Sequence, residues 1–379
     1  MRIGYITPGD PMDRRQWSGT HFQIARALRD HVGEVVQLGP LHPRGFVIDK
    51  VLKRLAPPLL GKRYLHTHSM SLARRYKRAL EARLATEELD VLFAPAGSTL
   101  VALLETEIPL VYLSDATFAL MEGYYPQFSN LMACSSRDGN EIERLALEKA
   151  NLLIYPSSWA SDSAIWDYGA DPSRVHVVPF GANVEQISSE EAVRAGLTRP
   201  PGCRLLFVGV EWERKGGDLV LETFHALDAL GLEPELTICG CAPPEKPEHP
   251  RIRVIPFLDR NEPAQHLELE TLYAEATFVF VPSRQECLGM VFIEAGAFGT
   301  PVISTDVGGI STAIVDGVNG YLLPLTASGR EYAQKIASLI ADREHYLSLR
   351  EGARKRFEQY FTWHAWGRSV SRLLNDLLS

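Results

Sequence analysis

Short apolar runs rich in β-branched residues alternate along the whole chain with longer stretches of amphipathic, helical spacing. Strands buried on both faces of a sheet are apolar throughout, so this alternation predicts parallel sheets covered by helices. We therefore predict an α/β protein with two Rossmann-like, doubly wound parallel-sheet domains facing across a cleft. The predicted strands are RIGYIT (2–7), VVQLG (35–39), VLFAP (91–95), PLVYL (109–113), NLLIYPS (151–157), VHVVP (175–179), RLLFVG (204–209), ELTICG (235–240), RVIPF (253–257), FVFVPS (278–283), PVIST (301–305) and GYLLP (320–324).

The two series of strands are separated by residues 185–203, which end in the helix-hostile sequence RPPGC and have the character of a linker. We predict an N-terminal domain over 1–184 and a C-terminal domain over 185–361. In doubly wound folds, ligands bind outside the carboxyl ends of the strands. The loops at those ends are therefore the candidates for chemistry.

Composition narrows the class of protein. The 379 residues include 39 Lys and Arg against 47 Asp and Glu, a net charge of -8, which argues against a nucleic-acid partner. No run approaches the ~18 apolar residues that span a bilayer, and the sequence enters a strand without a signal-peptide pattern. We expect a cytoplasmic protein. Its five cysteines are scattered without a CxxC pair, which favours a reducing compartment and argues against zinc: Cys134, Cys203, Cys239, Cys241 and Cys287.

The loop after the first strand places Ser18, Gly19 and Thr20 directly before a helix. Glycine there lets a ligand approach backbone N–H groups at the positive end of the helix dipole. Many helices begin after Ser-Gly, however, and the loop lacks the GxGxxG spacing of a dinucleotide site. By itself the loop also fits an ordinary helix start.

The first strand of the second series leads into VEWERKGGD, with Arg214 and Lys215 before a helix that begins near Asp218. Two cations beside the flexible Gly216 and Gly217, at the carboxyl end of a strand, suit a diphosphate. A solvated charged loop is the alternative.

The apolar stretch QECLGMVFIEAGAFGTPVIS (285–304) holds two glutamates eight positions apart. Glu286 lies in a loop after a strand, where a carboxylate can accept two hydroxyl hydrogen bonds from a sugar. Glu294 lies on the helix that begins near Gly289, where it could hold a ribose diol. The alternative is a buried helix with one solvated acid at its edge.

Residues 282–324 resemble the E-x7-E signature, with the following GG and NG turns, of the retaining glycosyltransferases of the GT-B fold known as group 1 or family 4. LFVGVEWERKGGD resembles the phosphate-binding segment of that family, and VHVVPFGANVE resembles the end of its first domain. The resemblance covers essentially the whole chain.

The resemblance implies a donor site for a nucleotide sugar. Glu286 would hold the sugar and Glu294 the ribose. Lys215 would neutralise the departing diphosphate, and Gly19 would close on it from the other domain. The amides of Cys287, Leu288 and Gly289 would hold the sugar together with Glu286, and Met290 is a further donor-binding candidate.

Several positions depart from the family pattern. Val210 stands where many relatives carry an arginine, and we expect Arg214 to take that role. In the family a histidine often follows the strand that here ends at Leu113, whereas this sequence reads LSDATF, so we predict Asp115 near the reacting sugar. Thr312 replaces a usual glutamate, and Cys287 replaces a small residue. The candidate acceptor contacts are Thr20, His21 and Thr117.

The resemblance implies transfer of a sugar from a UDP- or GDP-sugar to a hydroxyl acceptor, with retention of configuration. Fixed cations aimed at the leaving phosphate lower the barrier to such a reaction. No Asp-x-Asp pair occurs in the chain, so we expect no metal and no cofactor besides the nucleotide sugar. Another GT-B enzyme, such as an epimerase or a phosphorylase, and a non-catalytic sugar-nucleotide binder remain as alternatives.

Residues 362–379 are predicted to form a helix that, in the family, returns to pack on the first domain. Packing on its own domain is the alternative. Thr362 is a candidate N-cap. The apolar positions that recur with helical spacing are Trp363, Trp366, Val370, Leu373 and Leu374.

Residues 44–83 carry eleven Lys and Arg against two acids, a net of +9, so the remainder of the chain carries -17. Two helices are predicted here, the first ending at Pro57. Either both apolar faces pack on the first domain, or the segment meets an anionic acceptor or a membrane surface. The apolar positions are Val47, Ile48, Val51, Leu52 and Leu55 in the first helix, and Leu72, Tyr76, Leu80 and Leu84 in the second.

Overall fold

The computed structural model describes residues 1–41, 47–185, 202–245 and 247–379; the side chains at 47–50 and 52 are not described. The chain divides into two compact units, Met1–Pro179 with Trp366–Ser379, and Phe180–Ala365. The predicted linker lies outside the described residues except at its ends, and so does Arg44 of the basic segment.

The first unit contains a six-stranded parallel sheet in the order β2-β1-β3-β4-β5-β6. Its strands are β1 (Arg2–Tyr5), β2 (Glu34–Gln37), β3 (Val91–Pro95), β4 (Leu110–Leu113), β5 (Leu152–Tyr155) and β6 (Val175–Val177). The helices described in this unit are α1 (Thr20–His31), α2 (Val47–Leu60), α3 (Met70–Leu84), α4 (Ser98–Val101), α5 (Phe118–Met121), α6 (Ala133–Lys149) and α7 (Ser158–Trp166).

The central strands β3, β4 and β5 are buried along their whole length, as their apolar sequences require. Apolar residues of α3, α4, α6 and α7 join these strands in one core. Trp366, from the C-terminal part of the unit, makes a T-shaped contact with Phe93 of β3, with 6.1 Å between the ring centroids.

The second unit repeats the architecture, with a six-stranded parallel sheet in the order β12-β11-β10-β7-β8-β9. Its strands are β7 (Arg204–Val208), β8 (Glu235–Cys239), β9 (Ile252–Ile255), β10 (Phe278–Val281), β11 (Val302–Thr305) and β12 (Gly320–Leu323). The helices described here are α8 (Gly217–Ala229), α9 (Pro263–Glu275), α10 (Met290–Ala297), α11 (Ile310–Ala313), α12 (Gly329–Ala341) and α13 (Arg343–Tyr360). The two doubly wound parallel sheets confirm the predicted fold class.

The last helix, α14 (Trp363–Leu378), begins in the second unit and continues in the first. The Thr362 hydroxyl accepts a hydrogen bond from the Ala365 amide at 3.1 Å, so Thr362 caps the helix as predicted. Trp366, Val370 and Leu374 are buried in the first unit.

The prediction that the first basic helix ends at Pro57 is wrong, because α2 continues through Pro57 and Pro58 to Leu60. Each proline removes an N–H that would bond a carbonyl four residues earlier, here those of Lys53 and Arg54. Both of these residues are exposed, so solvent can satisfy their carbonyls, and the Gly61 amide bonds the Pro57 carbonyl at 3.0 Å.

Candidate active site

The loop between β7 and α8 brings the two predicted cations to the carboxyl edge of the second sheet. The Lys215 amide bonds the Glu211 carbonyl at 3.0 Å, which folds the loop into a helical turn. Gly216 has φ of 73°, and a Cβ there would clash with the carbonyl oxygen of Pro282. Because Gly216 lies directly against the end of β10, Lys215 faces the loop that follows this strand.

Glu286 lies in that loop, and both predicted cations converge on it. Lys215 forms an ion pair with the Glu286 carboxylate, and Arg214 Nη1 lies 3.7 Å from Oε2 of the same group. Arg214 also donates to the Gln285 carbonyl at 2.8 Å and to the Glu211 carboxylate at 2.5 Å. The structure therefore brings together Arg214, Lys215 and Glu286.

Arg284, which the sequence analysis missed, ties the same loop to the start of α8. Its guanidinium donates to both carboxylate oxygens of Asp218, at 2.8 and 2.6 Å. The Arg284 amide also bonds the Arg214 carbonyl at 2.8 Å. The two loops that carry the cations and Glu286 are thus fastened to each other.

The loop amides named as donor contacts lie before the N-terminus of α10. Cys287 and Leu288 are buried, and Gly289 has φ of 83° as the residue before the helix. A Cβ at Gly289 would clash with the ring of Phe292, so the sharp turn needs glycine. Met290 is half-buried and starts the helix. The first amides of a helix lack intrahelical acceptors, which makes this turn suitable for polar ligand groups.

Glu294 is fully buried in α10, and its carboxylate is bound inside the protein. Arg260, in the loop between β9 and α9, makes a two-pronged ion pair with it at 2.6 and 2.8 Å. The Tyr273 hydroxyl donates to Oε2 at 2.8 Å. Burial lowers the pKa of Arg260, but the charge of Glu294 and its hydrogen bonds outweigh this and raise the pKa above its usual value. Neither Arg260 nor Tyr273 belongs to a motif that sequence reasoning could have used.

In the first unit, Gly19 is the residue before α1 and follows two strained residues. Trp17 and Ser18 have φ of 47° and 55°, in the left-handed region that non-glycine residues rarely adopt. The Trp17 indole donates to Asp115 Oδ2 at 3.1 Å, and its ring lies 5.0 Å from that of His21. The carboxyl ends of β1 and β4 thus bring the predicted Gly19, Asp115 and His21 to one edge of the sheet.

Two of the candidate acceptor residues are engaged inside the first unit. Thr117 is fully buried, its hydroxyl is 2.6 Å from that of Ser163, and it caps α5. Thr20 is also buried. Burial lowers the pKa of His21 to about 4, and its Nδ1 atom has no hydrogen-bond partner among the described residues. The acceptor roles of all three stay predictions.

Within the described parts of the chain, no group of three or more His, Cys, Asp or Glu side chains has the arrangement of a metal site. The helices in these same parts are also too short or too polar to cross a membrane.

Two family models together match most of the chain. Residues 21–186 match the model described as Glycosyltransferase Family 4, and residues 190–356 match Glycosyl transferases group 1.

Curated relatives share about a third of their residues with this chain over the matched region. D-inositol 3-phosphate glycosyltransferase 1 of Catenulispora acidiphila is 33% identical over 253 residues, which cover 61% of this chain and 58% of that protein. The D-inositol 3-phosphate glycosyltransferase of Corynebacterium glutamicum is 29% identical over 293 residues, which cover 72% and 68%. The match to the first of these therefore spans less than two thirds of its length.

Solved structures share the fold over the full length of the chain. Sucrose-phosphate synthase from Thermosynechococcus elongatus has a TM-score of 0.70 at 20% identity, covering 100% of this chain and 99% of that one. Anabaena HepE, solved in complex with UDP-glucose, has a TM-score of 0.62 at 17% identity, covering 99% and 100%.

Proposed function

The chain belongs to the family 4, group 1 glycosyltransferases and has their GT-B fold, and on that premise we propose that it transfers a sugar from a nucleotide sugar to a hydroxyl acceptor with retention of configuration. The observation that carries this proposal is the convergence of Lys215 and Arg214 on Glu286. Two cations next to an acceptor of hydroxyl hydrogen bonds match a sugar joined to a diphosphate.

In the proposed reaction, the bond between the sugar C1 atom and the diphosphate breaks while the acceptor oxygen bonds C1 from the same face. Negative charge builds on the leaving phosphate, and Lys215 and Arg214 stabilise it. The leaving phosphate oxygen takes the proton of the acceptor hydroxyl, so the step needs no separate carboxylate base. Since these cations supply the positive charge, we also propose that the reaction is metal-independent.

Glu286 changes its partner in this scheme. In the structure its carboxylate is paired with Lys215. A bound diphosphate would compete for Lys215, which leaves the carboxylate oxygens available for the hydroxyls of the transferred sugar. The ion pair would thus hold both groups in place for the donor.

For the substrates we propose a UDP- or GDP-sugar and an acceptor hydroxyl on an anionic or lipid-linked compound. HepE was solved with UDP-glucose, which supports a diphosphate donor. The relatives named D-inositol 3-phosphate glycosyltransferases support a phosphorylated acceptor.

A panel of UDP-, GDP- and ADP-sugars, each with inositol phosphate or a lipid-linked sugar, tests the proposal by mass spectrometry of the products. A glycosylated acceptor with release of the nucleoside diphosphate is the expected result. Thermal stabilisation by a sugar nucleotide without any product would identify a binding protein instead. Conversion of the sugar nucleotide without acceptor would identify an epimerase, and pyridoxal absorbance of the purified protein would favour a phosphorylase.

We further propose that the enzyme works at the inner face of an anionic membrane, where α2 docks. Val51, Leu55 and Leu59 recur every fourth residue along α2 and are 48%, 46% and 73% exposed. Lys53 and Arg54 are exposed on the same helix. A helix with an exposed apolar stripe and exposed cations outside the stripe matches the boundary between anionic headgroups and acyl chains. By contrast, Leu72 and Leu80 of α3 are buried in the first unit, as the packing alternative predicts.

A further inference from the structure

Glu294 has little capacity left to hold a ribose in the observed arrangement. A carboxylate has about four positions that accept hydrogen bonds. Arg260 occupies one on each oxygen, and Tyr273 occupies another on Oε2. The Glu294 side chain is 0% exposed, whereas that of Arg260 is 17% exposed. One position on Oε1 is still open, so a ribose diol that needs both oxygens can bind Glu294 only after Arg260 Nη2 or the Tyr273 hydroxyl has left Oε2.

Arg260 also holds a second part of the unit. Its Nη1 atom donates to the Asn183 carbonyl at 3.1 Å, and Asn183 Oδ1 accepts a hydrogen bond from the Trp363 indole at 3.0 Å. Asn183 is buried close to Phe180, where the chain enters the second unit, and Trp363 lies close to Ala365, where the chain leaves it.

These two crossing segments, 180–183 and 361–365, are fastened to each other. The Ala182 amide donates to the Phe361 carbonyl at 2.8 Å. Gly181 lies against the backbone of Trp363, where a Cβ would clash. The rings of Phe180 and Trp363 stack at 6.0 Å between centroids. A shift of Asn183 would therefore disturb the hydrogen bonds and ring contacts of both segments.

We propose that Arg260 is a positioning residue that couples the occupancy of Glu294 to the two crossing segments. Ribose hydroxyls that bind Glu294 displace Arg260 Nη2 from Oε2. Because the guanidinium is a rigid plane, Nη1 turns with it and leaves the Asn183 carbonyl. The inference rests on the proposed function, in which Glu294 holds the nucleotide ribose.

Hydrogen exchange of the full chain, read by mass spectrometry, tests this coupling. The reporter is the Ala182 amide, which is bonded across the two segments. UDP and 2′,3′-dideoxy-UDP are the probes, because both carry the diphosphate and only UDP carries the ribose hydroxyls. In the natural protein we expect both probes to raise the melting temperature, because both place a diphosphate beside Lys215 and Arg214. Only UDP should change exchange at Ala182, by about fivefold, the effect of one lost hydrogen bond.

Arg260→Met and Arg260→Lys are the test variants. Methionine removes the charge that compensates Glu294 and can therefore destabilise the fold. Lysine keeps a positive charge beside Glu294 and should stay folded. A lysine ammonium group cannot, however, bond both Glu294 oxygens and the Asn183 carbonyl. In each variant we expect fast exchange at Ala182 before any probe is added, and no further response to UDP. Arg253→Met, which removes a surface pair with Glu268, is the matched control and should behave like the natural protein.

Equal responses of Ala182 to UDP and dideoxy-UDP in the natural protein would overturn the coupling, and so would a normal UDP response in Arg260→Lys. A failure of the proposed donor site looks different. In that case neither probe raises the melting temperature of the natural protein, and the coupling is contradicted as well.

Discussion

Lys215 is a charged side chain that is almost fully buried, and its partner Glu286 is nearly as inaccessible. Lys215→Met removes the charge that stabilises the leaving phosphate, while Arg214 can still compensate Glu286. Loss of one such contact costs roughly 3 kcal/mol, about a hundredfold in rate. We expect a hundredfold lower kcat with a melting temperature close to that of the natural protein. Initial rates and thermal unfolding measure the two effects, with Arg253→Met as the control.

Glu286→Gln should lose a similar part of the turnover and more of the stability, because it leaves Lys215 buried without its counter-ion. Arg214→Ala should follow Lys215→Met if Arg214 replaces the arginine absent at Val210. Turnover near the natural value in Lys215→Met would contradict the assignment of the phosphate site. Unchanged turnover in Arg214→Ala alone would contradict only the replacement at Val210.

Glu143 is a buried carboxyl group of α6 whose ionisation opposes folding. Burial raises its pKa to about 7, although hydrogen bonds from Tyr112 and Ser98 act in the opposite direction. Below the unfolded pKa of ~4.3 the group is protonated in both states. Between this pH and 7 the unfolded chain loses the proton first, so the group makes the protein progressively less stable, by up to about 4 kcal/mol.

Glu143→Gln should remove this penalty. We expect the variant to gain stability relative to the natural protein as the pH rises from 5 to 8, measured as the difference in free energy of unfolding in urea. His21 and His68, whose pKa values burial lowers to about 4, destabilise both proteins equally as the pH falls below ~6.5. A difference that does not change with pH would contradict the raised pKa.

The candidate residues that could be predicted from the sequence are those that stand at a fixed place relative to a predicted strand or motif. Arg214, Lys215 and Glu286 stand at the carboxyl ends of predicted strands, and the parallel sheet brings those ends to one edge. Arg260 and Tyr273 were not predicted, because no recognisable sequence motif places a loop arginine or a helix tyrosine at a characteristic distance along the chain from Glu294. Their association depends on how three elements pack around one carboxylate, which the linear pattern does not encode.

At the level of elements, each of the twelve predicted apolar runs overlaps a strand of the structure. Such runs are informative because strands buried on both faces leave no polar positions. The predicted end of α2 was wrong because a proline stops a helix only where the lost hydrogen bond cannot be replaced. On an exposed helix, solvent replaces it.

The exposed face of α2 leads to a prediction about membranes. Lys53→Glu with Arg54→Glu should weaken sedimentation with anionic liposomes by at least about thirtyfold at low salt, since each cation near an anionic surface contributes about 1 kcal/mol. Neutral liposomes should bind neither protein. Arg343→Glu with Lys355→Glu, two exposed cations of α13, makes the same change of charge elsewhere and should leave binding intact. Equal binding to neutral and anionic vesicles would contradict the docking of α2.

At the scale of the whole molecule, two parallel sheets provide the edges at which all the candidate residues lie. The repeated strand and helix pattern was sufficient to predict two such parallel sheets. The exact boundaries of the two compact units were harder to predict where the chain passes from one unit to the other. The strand pattern ends before Phe180, and the linker that follows carries no periodicity.

Turnover of the complete protein should survive an excess of EDTA, because side-chain cations compensate the leaving phosphate in the proposed reaction. Initial rates with and without the chelator measure this. A loss of turnover that Mg²⁺ or Mn²⁺ restores would show that the cations at 214 and 215 do not suffice.

The division of the chain has a consequence for biosynthesis. The first unit is interrupted between Pro179 and Trp366, so the ribosome must make the whole of Phe180–Ala365 before α14 can cover Phe93. At 5 to 20 residues per second this takes roughly 10 to 40 s, during which Phe93 of the first sheet lacks its contact with Trp366. Ribosome-arrested chains should therefore keep the first unit sensitive to protease until α14 has emerged, although the contiguous second unit can fold earlier. Protease resistance of the first unit in chains arrested before Trp366 would contradict this order of assembly.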